Sequence, residues 1–265
     1  MLTRRTSGEN LTPWLVGTLG LLGLAFFLAP LAGLVLRSPI ARLPATLLQA
    51  EVLSALRLSL LISLGALGLS LILGLPLAWA LSRGPLAGGR VIRSLVLVPM
   101  VLPPVVGGVA LFAAFGRRGF LGPALEAVGL ALPFSTAGAV VAAAFVAMPF
   151  LVVTMEAALS SVDRRLEDAA ATMGAGPMTI LWTITLPAIK PALGSGAALC
   201  WARALGEFGA TIMFAGNLEG VTQTIPLAVY TKLSVDPDGA LVLSLVLLAV
   251  ALAVIVALRG RIRGL

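Results

Sequence analysis

Six stretches of this chain run for at least twenty residues almost without charge: 11–36, 58–82, 94–116, 127–155, 191–218 and 239–258. Each is long enough to cross about 30 Å of hydrocarbon as a helix rising about 1.5 Å per residue. The composition agrees, with 59% hydrophobic and 11% charged residues and a mean hydropathy of +1.08. A soluble domain of that make-up would expose large apolar patches. A closed β-barrel needs short segments of alternating polarity, and these runs are continuous Leu, Ala and Val. The first run follows Arg4 and Arg5, yet it is longer than a signal core and has no small-x-small cleavage site, so it is expected to remain a span. The expected fold class is all-α: a polytopic membrane protein with six transmembrane helices, one domain over 1–265. The spans are placed at 11–36, 58–82, 94–116, 130–155, 191–216 and 239–258, with a cytoplasmic loop at 156–190.

The formal charge of +7 invites a nucleic-acid reading, which the placement of the basic residues removes. With both termini cytoplasmic, the inner segments hold Arg4, Arg5, Arg83, Arg90, Arg93, Arg164, Arg165, Lys190, Arg259, Arg261 and Arg263. The outer segments hold Arg37, Arg42, Arg57, Arg117, Arg118 and Lys232, and Arg203 lies within a span. The positive-inside rule therefore puts both ends in the cytoplasm of a multi-pass protein of the cytoplasmic (inner) membrane, surrounded by lipid. Topology accounts for the excess charge, and no nucleic-acid partner is expected.

Several chemistries are missing. There is no histidine, hence no usual general base or commonest metal ligand. Neither Lys190 nor Lys232 completes a G-x-x-x-x-G-K-[ST] phosphate loop. Ser195 between Gly194 and Gly196 reads as small-residue helix packing, and the single cysteine, Cys200, as a small hydrophobe. No catalytic residue, metal site or cofactor is expected in this chain.

The loop contains "SVDRRLEDAAATMGAGPMTILWTITLP". Asp163 suits an N-cap, Leu166, Ala169, Ala170 and Met173 recur at helical spacing, Gly174 suits the left-handed position after a helix, and Pro177 stops simple continuation. Arg164, Arg165, Glu167, Asp168 and Thr172 are assigned to the opposite, polar face. Such a helix fits a partner's groove better than a bed of lipid headgroups, since alanine anchors weakly in membranes. The segment resembles the cytoplasmic EAA motif of the integral membrane subunits of binding-protein-dependent ABC importers: E-A-A-x-x-x-G, nine residues, then I-x-L-P. Asp168, Ala169, Ala170, Gly174, Ile184, Leu186 and Pro187 stand at that spacing, with Asp168 in place of the usual Glu. The literal "EAA" at 156–158 is a decoy, because Val162 stands where the glycine belongs. The resemblance implies a type I ABC importer permease fold in a homodimer, with two copies of an ABC ATPase subunit inside and an extracytoplasmic oxyanion-binding protein outside. It implies that Ala169 and Ala170 pack on the ATPase, that Gly174 permits the turn out of its cleft, and that Leu186 and Pro187 lead back to the membrane. ATP and magnesium would then belong to the ATPase. Arg164 and Asp168, four apart, either pair with each other or reach the partner.

A second resemblance covers "WARALGEFGATIMFAGNLEGVTQTIPLAVY", which is similar to the fifth span and outer loop of molybdate permease subunits. The R-A-x-G-E-F-G core is shared with sulfate permeases, while Thr211, Ile212 and the segment 222–226 tilt toward molybdate; tungstate, nearly the same ion, is hardly separable. Here Arg203 and Glu207 sit one helical turn apart in an apolar run, where an unpaired charge costs about 2.5–3.5 kcal/mol. On a continuous helix they share a face and pair. Two roles fit: a brace or gate, with Gly206 and Gly209 allowing close packing, or a lining for the anion's path. Thr211, Asn217 and the loop 216–224 are the residues expected to meet the substrate or its delivery protein. In the third run, "PMVLPPVVGG" predicts a helix break from Pro99, Pro103, Pro104, Gly107 and Gly108; it either lines a path or is a kink satisfied by neighbouring helices. The expected function is the permease subunit of an ATP-driven molybdate importer. A sulfate importer, and an ATP-independent anion transporter using Arg203 and Glu207, are the alternatives.

Overall fold

The computed structural model describes residues 11–84 and 88–262. Arg4, Arg5 and Arg263, three of the charges that orient the chain, lie outside the described residues. Among the described residues all regular structure is helical: α1 (Leu11–Arg37), a 3-10 turn (Ile40–Arg42), α2 (Leu43–Leu47), α3 (Ala50–Arg83), α4 (Gly89–Val101), α5 (Pro104–Phe115), α6 (Gly122–Ala127), α7 (Thr136–Ser161), α8 (Arg164–Thr172), α9 (Pro177–Ile180), a π turn (Leu181–Thr185), α10 (Leu186–Leu205), α11 (Gly209–Phe214), α12 (Ile225–Leu233) and α13 (Pro237–Ile262).

The centre of the bundle is α7 packed along α3, with α10 against both. On α3 the buried residues Leu58, Ile62, Ala66, Ser70, Gly74 and Ala78 follow one another every four positions. On α7 the same spacing links Ala139, Ala143, Ala147, Leu151, Met155 and Leu159. Ridges of this spacing interdigitate. Lipid supplies no hydrophobic drive for helix association, so close approach through small residues has to provide the contact energy. Gly74 shows how close: a Cβ there would lie 3.2 Å from Met148 Cγ. The apolar part of α7 is 61% buried, whereas that of α1 is not buried at all.

Among the described residues four helices are long and apolar enough to cross a membrane, α1, α3, α7 and α13, and the bent pair α4–α5 makes a fifth if counted as one span. The stretch expected as the fifth span, 191–216, is not among them, because it is broken between α10 and α11 and carries Arg203. The expected third span is not one straight crossing either: α4 and α5 meet at 119°. Pro104 disfavours helical geometry at the preceding residue, and Leu102 and Pro103 both leave it (ψ 132° and 129°).

Two boundaries also differ from the run limits. α3 starts at Ala50, with Glu51 and Arg57 exposed on its first turns; at about 1.5 Å per residue a helix of 34 residues overruns the hydrocarbon, so its ends tolerate charge. Helical backbone also runs unbroken from α9 through the π turn into α10, since Ile180, Leu181, Thr185 and Leu186 all have helical angles. The fifth helical stretch thus begins at Pro177, not Pro191. The wider π turn just before Pro187 relieves the clash that the proline ring makes with the preceding turn.

Candidate functional site

The first cluster is the loop between α7 and α10, built around α8. Asp163 caps α8 by accepting the Arg165 backbone N–H at 3.0 Å. At the other end Gly174 has φ +90°. Ala175 N–H donates to Ala170 O and Gly174 N–H to Ala171 O, each at 3.0 Å. These two bonds are the Schellman closure, which needs the left-handed residue that glycine supplies.

α8 turns apolar side chains away from the bundle and a polar one toward it. Its outward residues include the apolar ones: Leu166 is 57% and Met173 88% exposed, and Ala169, Arg165 and Asp168 are exposed beside them. The inward contact is polar. Glu167 forms an ion pair with Arg83, and Thr185 Oγ1 donates to its Oε1 at 2.5 Å. Arg83 Nη2 donates to Leu159 O at 3.0 Å, and its guanidinium lies over the Trp79 ring. Arg164 turns back to donate to Ser82 O at 3.2 Å rather than pairing with Asp168; among the described residues Asp168 makes no ion pair. Ile184 and Leu186 are half-buried and Pro187 exposed at the return to the bundle. The decoy Glu156 pairs with Arg93, which also donates to Leu81 O at 2.7 Å. Sequence reasoning passed over Arg83, Glu167 and Thr185. The available signal was Arg83, the charge that ends the second run.

The second cluster lies where the two helix breaks meet. α10 ends at Leu205, Gly206 caps it, and α11 opens at Gly209, so Arg203 and Glu207 do not share a continuous helix as expected. They meet across the break: Arg203 Nη1 stands 2.8 Å from Glu207 Oε2, with side-chain exposures of 28% and 2%. That contact is an ion pair without hydrogen-bond alignment, since Oε2 has no hydrogen-bond partner. The other oxygen, Oε1, accepts the Ala210 N–H at 2.8 Å. Glu207 thereby joins the end of α10 to the start of α11.

Next to this joint, α5 and α11 touch backbone to backbone. A Cβ on Gly209 would lie 2.8 Å from Pro104 Cβ, and one on Gly108 would lie 2.6 Å from Met213 Cβ and 2.9 Å from Ala210 O. The expected packing role therefore falls to Gly209 and Gly108. Gly206 has no such role: it is exposed, and its nearest neighbour would be Ala202 O at 3.8 Å. The break in the third run and the break in the fifth, read separately from sequence, form one structure.

The residues expected to meet the substrate or its delivery protein differ in how far they are buried. Thr211 is 1% exposed, on α11, which packs against α5 and α7. Asn217 Nδ2 donates to Thr231 Oγ1 at 2.9 Å. Thr222, fully buried, accepts the Leu218 N–H at 2.9 Å, while Leu218 O accepts from Val221, Thr222 and Gln223. Self-satisfaction of its backbone folds the loop inward, leaving 218–221 as its exposed tip.

These features define a multi-pass helical membrane subunit with a short exposed helix held at one end of the bundle and a broken-helix joint. The chain belongs to the inner membrane components of binding-protein-dependent transport systems, a family that matches residues 66–263. It is 43% identical over 242 residues, 90% of each chain, to the molybdenum transport system permease protein ModB of Mycobacterium tuberculosis. To the ModB protein of Escherichia coli K12 it is 43% identical over 202 residues, 76% of this chain and 88% of that one. Sulfate transport permeases are more distant relatives. A crystal structure of a bacterial ABC transporter involved in the import of the polysaccharide alginate matches with a TM-score of 0.74 at 18% identity, covering 97% of this chain and 98% of that chain. The fold is that of an ABC importer permease.

Proposed function

We propose that this chain is the membrane-spanning permease subunit of an ATP-driven importer for molybdate, with tungstate as a close second ion, passing the oxyanion from a binding protein to the cytoplasm. The observation that carries the substrate is the 43% identity, over 90% of the chain, to a protein named for molybdenum transport. In this reading the chain is a homodimer with both termini cytoplasmic and six crossings, α10–α11 supplying the one that length and composition alone leave out. α8 inserts its outward face, with Leu166, Ala169 and Met173, into one of two ABC ATPase subunits. ATP and magnesium are held there, and the energy for transport comes from that partner.

The joint of α5, α10 and α11 is the element we assign to the gate, with Arg203 and Glu207 as its brace. Closing of the ATPases on ATP draws the two α8 helices together and opens the path outward. The loop tip at 218–221 meets the binding protein.

The substrate test is labelled molybdate uptake by vesicles holding this chain, its ATPase and its binding protein, with and without excess sulfate. ATP-dependent uptake that excess sulfate leaves intact is expected; suppression by sulfate, with sulfate itself carried, moves the chain to the sulfate branch. The coupling test is Gly174→Val. Space around Gly174 is open, so the variant strains only the φ +90° backbone, by about 1–2 kcal/mol. Global unfolding temperature should fall by only a few degrees while uptake falls severalfold, and unaltered uptake would count against the coupling loop.

A further inference from the structure

We propose that Arg83, Glu167 and Thr185 are positioning residues of the coupling step: they hold α8 to the transmembrane helices so that ATPase movement reaches the path rather than being absorbed by the loop. The inference rests on the coupling reading above and adds to it residues that touch neither ATPase nor anion.

The argument begins with how little else holds α8. No residue of this nine-residue helix is buried. It is tied to the chain by non-helical joints on both sides: extended Val162 and Asp163 before it, and Gly174 at φ +90° and extended Gly176 after it. A short helix on two such joints can pivot when its outer face is pulled. Among the described residues, apart from the Arg164 contact with Ser82 O, side-chain bonding from α8 to the bundle goes through the Glu167 carboxylate. Each of its oxygens takes a different partner: Arg83, the last residue of α3, on Oε2, and Thr185 of the π turn on Oε1.

Arg83 extends the connection to a third element. Its Nη2 donates to Leu159 O in the last turn of α7, so one cation gathers the carbonyl-rich ends of α3 and α7, where positive charge is favoured. The side chains of the pair are only 8% and 16% exposed, so water screens it little. Thr185 is fully buried, and the π turn that sets it opposite Glu167 leads directly into α10 and its joint with α11. The connected parts are therefore α8, α3, α7 and α10, the elements that must move together if the gate is to follow the ATPase. A planar fork is required at position 83, because Glu167 and Leu159 O are held by two nitrogens of one group.

The test uses the complete importer in vesicles and reads labelled molybdate taken up per ATP hydrolysed, after copurification has shown the ATPase bound. Glu167→Gln and Arg83→Gln are expected to hydrolyse ATP at the wild-type rate while uptake per ATP falls about tenfold, within the usual range of coupling between sites. Thr185→Val should shift the ratio in the same direction, and Thr185→Ser, which keeps the hydroxyl, should restore it. A purely structural role predicts hydrolysis and uptake falling together at a constant ratio, and that result, or an unchanged ratio, overturns the proposal. Should Glu167→Gln fail to assemble, the valine and serine variants decide: equal ratios for both overturn it. Failure of the underlying reading looks different, since wild-type uptake would then proceed without ATP.

Discussion

Arg203→Met is expected to destabilise the chain by about 3–5 kcal/mol, the usual cost of leaving one member of a buried pair without its partner, and to abolish uptake. Glu207 is 2% exposed and its Oε2 faces Arg203 Nη1 at 2.8 Å, so removing the cation strands a carboxylate in an apolar surround. The double variant Arg203→Met with Glu207→Gln should recover most of the stability. The amide oxygen can still accept the Ala210 N–H, and replacing a whole buried pair by neutral groups is often close to neutral. Thermal unfolding in detergent and vesicle uptake, measured on both variants, separate the two roles of the pair. Stability and uptake returning together identify a brace. Stability returning without uptake shows that Arg203 acts on the anion. A single variant as stable as the wild type would contradict the burial of the joint.

The second large effect is expected at Gly108. A Cβ there meets Met213 Cβ at 2.6 Å and Ala210 O at 2.9 Å, neither of which can swing aside as a side-chain tip would. Overpacking of this kind costs about 1–3 kcal/mol. Here it also pushes α11 from α5, so Gly108→Ala should reduce uptake well beyond its effect on the unfolding temperature, and Gly209→Ala, against Pro104 Cβ at 2.8 Å, should act in the same way. Gly206→Ala is the comparison for folding: open space and a φ of −89° predict an unaltered unfolding temperature. Equal loss of stability in all three variants would remove the close α5–α11 contact from the account.

The run limits located the helices because a charge-free segment in lipid has few alternatives to helix. They misplaced helix starts wherever a helix outruns the hydrocarbon, as at Glu51 and Arg57 on α3. They also hid the helical stretch before Lys190 and Pro191, because a π turn accommodates Pro187 and lets the backbone continue. Pro103 and Pro104 announced a break but carried no angle, and the angle of 119° is what separates a bent pair from a kinked span. In α8 the spacing of Leu166, Ala169, Ala170 and Met173 showed an amphipathic helix. Leu166 and Met173 of the apolar face are exposed, yet nothing in the pattern revealed that Glu167 turns inward.

By itself the sequence determined the helical membrane class, the capped helix from Asp163 to Gly174 and the pairing of Arg203 with Glu207, all of which depend on residues close together in the chain. Only the tertiary structure decided that the breaks at Pro103 and Gly206 form one joint, that Gly108 rather than Gly206 sets its tightness, and that Arg83 holds Glu167. Each of these joins residues far apart in sequence, and spacing along one helix carries no information about which side chain of another helix will occupy the opposite groove.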